Sequence, residues 1–204
     1  MMLSGAVLSG GKSSRMGRDK GLIKLGGRPL ADHVAKTLTE VADEVLISVA
    51  KGKSVEYQRV LEDEFVVLED DAEGLGPLEG LITSLSAAKG DYVLFSPCDT
   101  PFLRTEVCRT TALHAIGRDG AVPVVRGYQE PLHAVYRRGV ALEAFKKTLK
   151  KGNRRPTDAY GMLDLVSVPE TVLRKADPHL VSFWNLNSPE DLKLAEERMK
   201  KDMF

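Results

Sequence analysis

The chain carries only two cysteines, Cys98 and Cys108, among 204 residues. They have no CxxC spacing and no framework in which to pair. That argues against a disulfide-stapled secreted fold and points to a reducing cytoplasm. The four histidines (His33, His114, His133 and His179) show no diagnostic spacing, and no Cys/His cluster has zinc-ligand spacing. A catalytic Cys98 would need a base nearby, so a small buried hydrophobe is the simpler reading of that residue. Net charge is zero, with 29 basic and 29 acidic side chains. A general nucleic-acid binder is normally basic, so that class is not expected, although a local basic pocket stays open. No apolar run approaches the roughly 18–20 residues of a membrane-spanning helix. The N-terminus lacks the charged and then long apolar regions of a signal peptide. There is no low-complexity stretch and no repeat of fixed period.

What is present begins with an apolar fraction of 43%, enough for a core in a chain whose length suits one domain, or one domain with a small lobe. Directly behind the apolar run Leu3–Leu8 stands LSGGKSSRMGRDK, residues 8–20. A short buried strand runs into a loop with Gly10 and Gly11 adjacent. Glycines let a backbone approach a ligand closely, and free N–H groups in such a loop favour an anion. Arg15 and Lys20 add full positive charge. The chemistry this combination suits is a polyphosphate. A Walker-type loop, G-x-x-x-x-G-K-[ST], is matched at its end by Gly11-Lys12-Ser13, but its first glycine falls on Ala6. The pattern L-[AS]-G-G-x-x-x-R-M-G-x-D-K is instead matched without a gap at nine of thirteen positions. It resembles the nucleotide loop of nucleotidyltransferases.

Further apolar runs read as buried strands at Val45–Val49, Phe65–Leu68, Tyr92–Phe95, Ala121–Val125 and His133–Tyr136. Leu30–Val41 has Leu30, Val34, Leu38 and Val41 on one helical face, and Pro77–Ala88, Phe102–Ile116 and Val140–Leu149 are further helical segments. Thr100-Pro101 and Ser188-Pro189-Glu190-Asp191 read as helix starts, with a capping hydroxyl, a first-turn proline and acids opposing the dipole. Alternating strands and helices imply an α/β fold, a largely parallel sheet covered on both faces, with ligands at the carboxyl ends of strands. Gly152–Gly161 (GNRRPTDAYG) is a polar interruption, read as a surface loop or small lobe bearing Arg154 and Arg155.

A second constellation follows the strand at Tyr92. Asp99, in Ser96-Pro97-Cys98-Asp99-Thr100-Pro101, is placed to hold a divalent cation, and it would serve equally as a helix cap. Mg²⁺ takes hard oxygen ligands, often one or two carboxylates plus substrate phosphates. A polyphosphate loop and a metal carboxylate at neighbouring strand ends belong together. Glu69-Asp70-Asp71 follows another strand and offers a further carboxylate, or simply an acidic turn. Gly74–Gly80 (GLGPLEG) puts glycines around a helix start, either for an anion or for the turn itself.

With these pieces in order, the chain resembles the molybdenum cofactor guanylyltransferase family nearly end to end. The resemblance is carried by LSGGKSSRMGRDK, Gly21-Leu22, Gly27-Arg28-Pro29-Leu30, LEDDAEGLGPLEG (68–80), PCDTP (97–101), EPLHAVY (130–136), GNRRPTDAYG and WNLNSPEDL (184–192). It implies a Rossmann-like three-layer sandwich of the nucleotide-diphospho-sugar transferase type. It also implies a single nucleotidyltransferase domain over residues 1–204, with a nucleotide half near 1–100 and a pterin-cofactor half near 101–204. The implied reaction joins GMP from GTP to the molybdopterin cofactor and releases pyrophosphate, with Mg²⁺ (or Mn²⁺) as cofactor. A phosphate of the pterin attacks the α-phosphorus of GTP, and no protein nucleophile is required. Position by position, Leu8, Ser9, Gly10 and Gly11 contact GTP, Lys20 its phosphates, Asp70 the nucleotide, and Asp99 both Mg²⁺ and GTP. Arg15, Lys20 and Asp99 form the catalytic set. Ser48 falls where the family often has an asparagine near the nucleotide, and Ser9 where alanine is commoner. Asn185, Asn187 and one of Arg154 or Arg155 fall toward the pterin. Partners are GTP and the molybdopterin cofactor, with molybdoenzymes or their chaperones as further candidates, and neither nucleic acid nor membrane. The alternatives are a CTP-dependent, sugar-phosphate or phospholactate nucleotidyltransferase of the same fold, or a nucleotide-binding regulatory protein without turnover.

Overall fold

The computed structural model describes residues 2–10, 19–61, 65–71 and 76–201. Arg15, Gly11 and the acid-to-glycine stretch 72–75 lie outside these. In chain order the elements are β1 (Leu3–Ser9), the hairpin β2 (Lys24–Leu25) and β3 (Arg28–Pro29), α1 (Leu30–Thr39), β4 (Glu44–Val49), α2 (Ser54–Gln58), β5 (Val66–Glu69), α3 (Pro77–Ala87) and β6 (Tyr92–Pro97). They continue with α4 (Thr105–Ala115), β7 (Gly120–Val125), β8 (Tyr128–Gln129), β9 (Val135–Arg137), α5 (Arg138–Lys150), β10 (Leu165–Pro169), α6 (Glu170–Ala176) and α7 (Pro189–Lys200).

The main sheet runs β10-β7-β9-β6-β1-β4-β5, with β8 paired to β7. β1, buried at every position, is an inner strand, flanked in parallel by β4 and β6. The pairing β4–β5 is parallel too, whereas β9 is antiparallel to both β6 and β7. From β1 the chain moves outward through β4 and β5, then returns to the other side of β1 as β6. This reversal makes a topological switch point. The crevice outside the carboxyl ends of β1 and β6 is where such sheets bind ligands.

Alternation along β1 builds the two layers. Leu3 and Val7 face one side, with α1 and α4 supplying Val34, Ala35, Leu38, Val107 and Ala112. Ala6 and Leu8 face the other, against Leu78, Leu81 and Leu85 of α3 and Phe145 of α5. Leu30, Val34 and Leu38 recur every four residues and are fully buried. Each such side chain contributes roughly 1.5–3 kcal/mol, which ties α1 to the sheet. A third cluster, Leu25, Leu30, Leu186 and Ala195, packs α7 over the β2–β3 hairpin. No described helix is long and apolar enough to cross a membrane.

Three expectations change in detail. Thr100-Pro101 does not open a helix. Thr100 Oγ1 turns back to the Pro97 carbonyl at 2.9 Å, and α4 begins only at Thr105. The strand expected at His133–Tyr136 is Val135–Arg137, and its antiparallel setting makes the sheet mixed. The polar stretch after Gly152 is only partly a loop. Pro156–Met162 forms a 3-10 helix that buries Pro156 and Ala159. Ser188, by contrast, does cap α7, in a full capping box with Asp191.

Candidate active site

The site is assembled at the carboxyl ends of β1, β4, β5 and β6. Leu8 and Ser9 close β1 and are nearly buried. The Leu8 carbonyl accepts from Cys98 N–H at 3.0 Å, so the end of β1 is laced to the segment that carries Asp99. Gly10 follows, exposed. A Cβ there would lie 2.8 Å from Asp70 Oδ2. Glycine is therefore what allows the strand end and this carboxylate to share one corner.

Asp99 is 9% exposed. Its Oδ2 is ion-paired with Lys20 Nζ. Lys20 Nζ also donates to Asn187 Oδ1 at 2.7 Å. The lysine, the aspartate and the asparagine come from three distant parts of the chain. Leu186 N–H donates to the Asp99 carbonyl at 2.8 Å, and Asp191 Oδ2 accepts from Asn187 N–H at 2.9 Å. The loop before α7 is thus fixed against Asp99. Asp99 Oδ1 is buried with no hydrogen-bond partner among the described residues. A buried carboxylate oxygen left in this way calls for a ligand, water or ion. A hard cation is the partner that suits it. No group of three or more His, Cys, Asp or Glu among the described residues forms a metal cage. A lone carboxylate with one open oxygen would fit a cation that takes its other ligands from elsewhere.

Asp70 follows β5. Its N–H donates to the Val49 carbonyl at 2.9 Å, and its Oδ1 accepts from Ser48 Oγ at 2.7 Å. Burial pushes its pKa up, and the hydrogen bonds from Ser48 and Thr83 oppose this. Ser48 is wholly buried. The structure places it behind Asp70, where it orients the carboxylate. α3 comes close enough to do this packing because residue 80 is glycine. A Cβ at Gly80 would lie 3.1 Å from both Ser48 Oγ and Leu8 Cδ2. At the start of that helix Gly76 holds a φ of 77°, so this glycine serves the turn. Burial pushes the Cys98 thiol up to about 12. It is an inert core group, as its surroundings suggested.

Lys20, Asp99 and Asn187 are therefore brought into direct contact, with Leu8, Ser9, Gly10, Asp70 and Ser48 alongside. Asn185 is exposed one residue before Leu186. Arg154 and Arg155 are exposed as well, with the Arg154 carbonyl 4.0 Å from where a Gly76 Cβ would stand. One residue of this region carried no sequence signal. Tyr57 of α2 is fully buried, and its hydroxyl meets Ser9 Oγ at 2.6 Å and the Asp19 carboxylate. Its partners lie 48 and 38 positions away, so no local spacing could reveal it.

A mainly parallel sheet whose switch point joins a glycine-rich strand end, a lysine and a cation-ready aspartate defines a nucleotidyltransferase. The profile of the MobA-like NTP transferase domain matches residues 5–163. The chain is 35% identical over 204 residues to the molybdenum cofactor guanylyltransferase of Desulfosudis oleivorans, covering 97% of this chain and 96% of that one. The crystal structure of molybdopterin-guanine dinucleotide biosynthesis protein A from Archaeoglobus fulgidus superposes with a TM-score of 0.83 at 28% identity, over 97% and 99% of the two chains. At 19% identity, 2-C-methyl-D-erythritol 4-phosphate cytidylyltransferase from Thermus thermophilus shares the fold, with a TM-score of 0.72 over 98% and 100%. The chain belongs to the MobA-like NTP transferase family, and it is an enzyme of the nucleotidyltransferase type.

Proposed function

We propose that the enzyme transfers GMP from GTP to the molybdopterin cofactor, giving the guanine dinucleotide form and pyrophosphate. The observation that carries this reading is the Lys20–Asp99–Asn187 cluster with its unpartnered Asp99 Oδ1, in a chain whose relatives bear that activity in their names. Backbone groups of Leu8, Ser9 and Gly10 line the nucleotide, and Asp70 orients it. Lys20 offers a mobile point charge to the phosphates and neutralises the charge that gathers on the departing pyrophosphate. Asp99 would hold Mg²⁺, and that cation would supply charge neutralisation at the phosphates when bound. Asn187 keeps Lys20 on the Asp99 side of the site. Asn185 and the exposed Arg154–Arg155 pair form the proposed pterin side. The pterin phosphate is itself the nucleophile, so the protein contributes positioning and electrostatics.

The test is pyrophosphate release from GTP, CTP, ATP and UTP, with and without the pterin substrate, in Mg²⁺ or EDTA. Release with GTP alone, dependent on both pterin and metal, is the expected result. A preference for CTP overturns the guanylyl assignment.

A further inference from the structure

Tyr57 lies outside every motif, yet one hydroxyl of this residue touches both sides of the phosphate-binding segment. Ser9 ends β1 and Asp19 immediately precedes Lys20. The Tyr57 hydroxyl is hydrogen-bonded to both. Asp19 Oδ1 also accepts from Gly21 N–H at 3.2 Å, capping the 3-10 turn Lys20–Leu22. Burial keeps the phenol protonated. A phenol has one hydrogen to give and can accept in return. The carboxylate is the stronger acceptor, so the chain of bonds runs from Ser9 to Tyr57 to Asp19. The cluster has no room to spare. A Cβ at Gly21 would collide with both Ser9 Oγ and the Tyr57 hydroxyl.

We propose that Tyr57 is a positioning residue of the nucleotide site: it fixes Asp19 against Ser9 and thereby sets where Lys20 stands relative to Asp99. A tyrosine that only fills the core would need its ring and not this hydroxyl. The inference rests on the reading of Lys20 and Asp99 given above and deepens it, since Ser9 and Tyr57 then act on the phosphates through a residue neither of them touches.

The experiment compares wild type with Tyr57→Phe, which keeps the ring. It follows acetic anhydride labelling of Lys20 by mass spectrometry, with the exposed Lys24 as internal standard. Losing a hydrogen bond to a charged group should raise the Lys20/Lys24 labelling ratio about fivefold or more. The kcat/KM for GTP should fall by a similar factor, since a displaced Lys20 serves both the bound phosphates and the departing pyrophosphate less well. A folded Tyr57→Phe protein with an unchanged labelling ratio overturns the proposal. Should that variant fail to fold, Asp19→Ala cuts the same bond from the partly exposed side. It must give the same rise, and an unchanged ratio overturns the proposal equally. The labelling needs no nucleotide. A wild-type protein that ignores GTP therefore sinks the guanylyl reading while the ratio still decides Tyr57.

Discussion

Lys20 and Asp99 are ion-paired across 79 positions of sequence, at the ends of segments that the switch point makes neighbours. The pair is asymmetric. The lysine takes Oδ2, while Oδ1 stays buried without a partner among the described residues. One oxygen is thus satisfied by the lysine, and the other is left open for the cation proposed above.

Asp99→Ala should lower Mg²⁺-dependent turnover to less than about a tenth of wild type, because charge stabilisation of this kind is commonly worth that much or more. The fold should survive. Leu186 binds the Asp99 backbone carbonyl, which alanine retains. Steady-state pyrophosphate release and circular dichroism together check this. Turnover above that level in a folded variant would remove Asp99 from its assigned role.

Lys20→Ala should reduce kcat/KM for GTP about tenfold to a hundredfold, as expected for loss of a charge-assisted contact to phosphate. Asn187→Ala leaves the charge in place and removes only the 2.7 Å bond that holds it. Its loss should be smaller and in the same direction. Equal kcat/KM values for wild type and Lys20→Ala would reject the phosphate role.

Which of this could be read from the sequence follows from how local each signal is. The strand β1, the acid after β6 and the Ser188 capping box are each written within a few residues, and the structure has them where the spacing put them. Thr100-Pro101 misled because its hydroxyl satisfies the Pro97 carbonyl. The true start of α4 has no hydroxyl cap, and Ser182 Oγ takes the N–H of Arg104, at its N-cap position, at 3.0 Å. The edge strand β10 and the helix α6 joined at Pro169 were missed. β10 is short and only partly buried, so its apolar pattern is weak. Ser48 behind Asp70, and Tyr57 between Ser9 and Asp19, depend on contacts between residues 22 to 48 positions apart in the chain, which no spacing encodes. The assignment of Arg15 and Gly11 lies outside the described residues.

Asp70→Asn should separate stability from activity. The raised pKa of Asp70, caused first by burial, means that the folded state binds this proton more tightly than the unfolded chain does. Its contribution is therefore full below the unfolded value of 3.8 and is lost as pH rises through the higher folded value. At pH 7 the native protein carries a buried charge at a cost. An asparagine can still accept from Ser48 without it. The melting temperature at pH 7 should stay level or rise, while kcat/KM for GTP falls. A clear drop in melting temperature would show that the Asp70 charge is instead stabilising.

His133 makes the fold less stable in acid. It is 6% exposed, packs its ring 5.0 Å from that of Phe183, and has Nε2 buried without a partner among the described residues. Burial lowers its pKa from 6.5 to about 3, so the folded state holds it neutral. The sign is the reverse of that for Asp70. The stability it lends is complete above about 6.5 and is lost as pH falls toward 3, because only the unfolded chain takes up the proton over that range. The loss approaches about 1.4 kcal/mol per pH unit within the window. His133→Leu cannot titrate, so its melting temperature should fall less than that of wild type between pH 7 and pH 4.5. Parallel melting curves for the two proteins across that interval would mean that His133 is protonated in the native state, contrary to its burial.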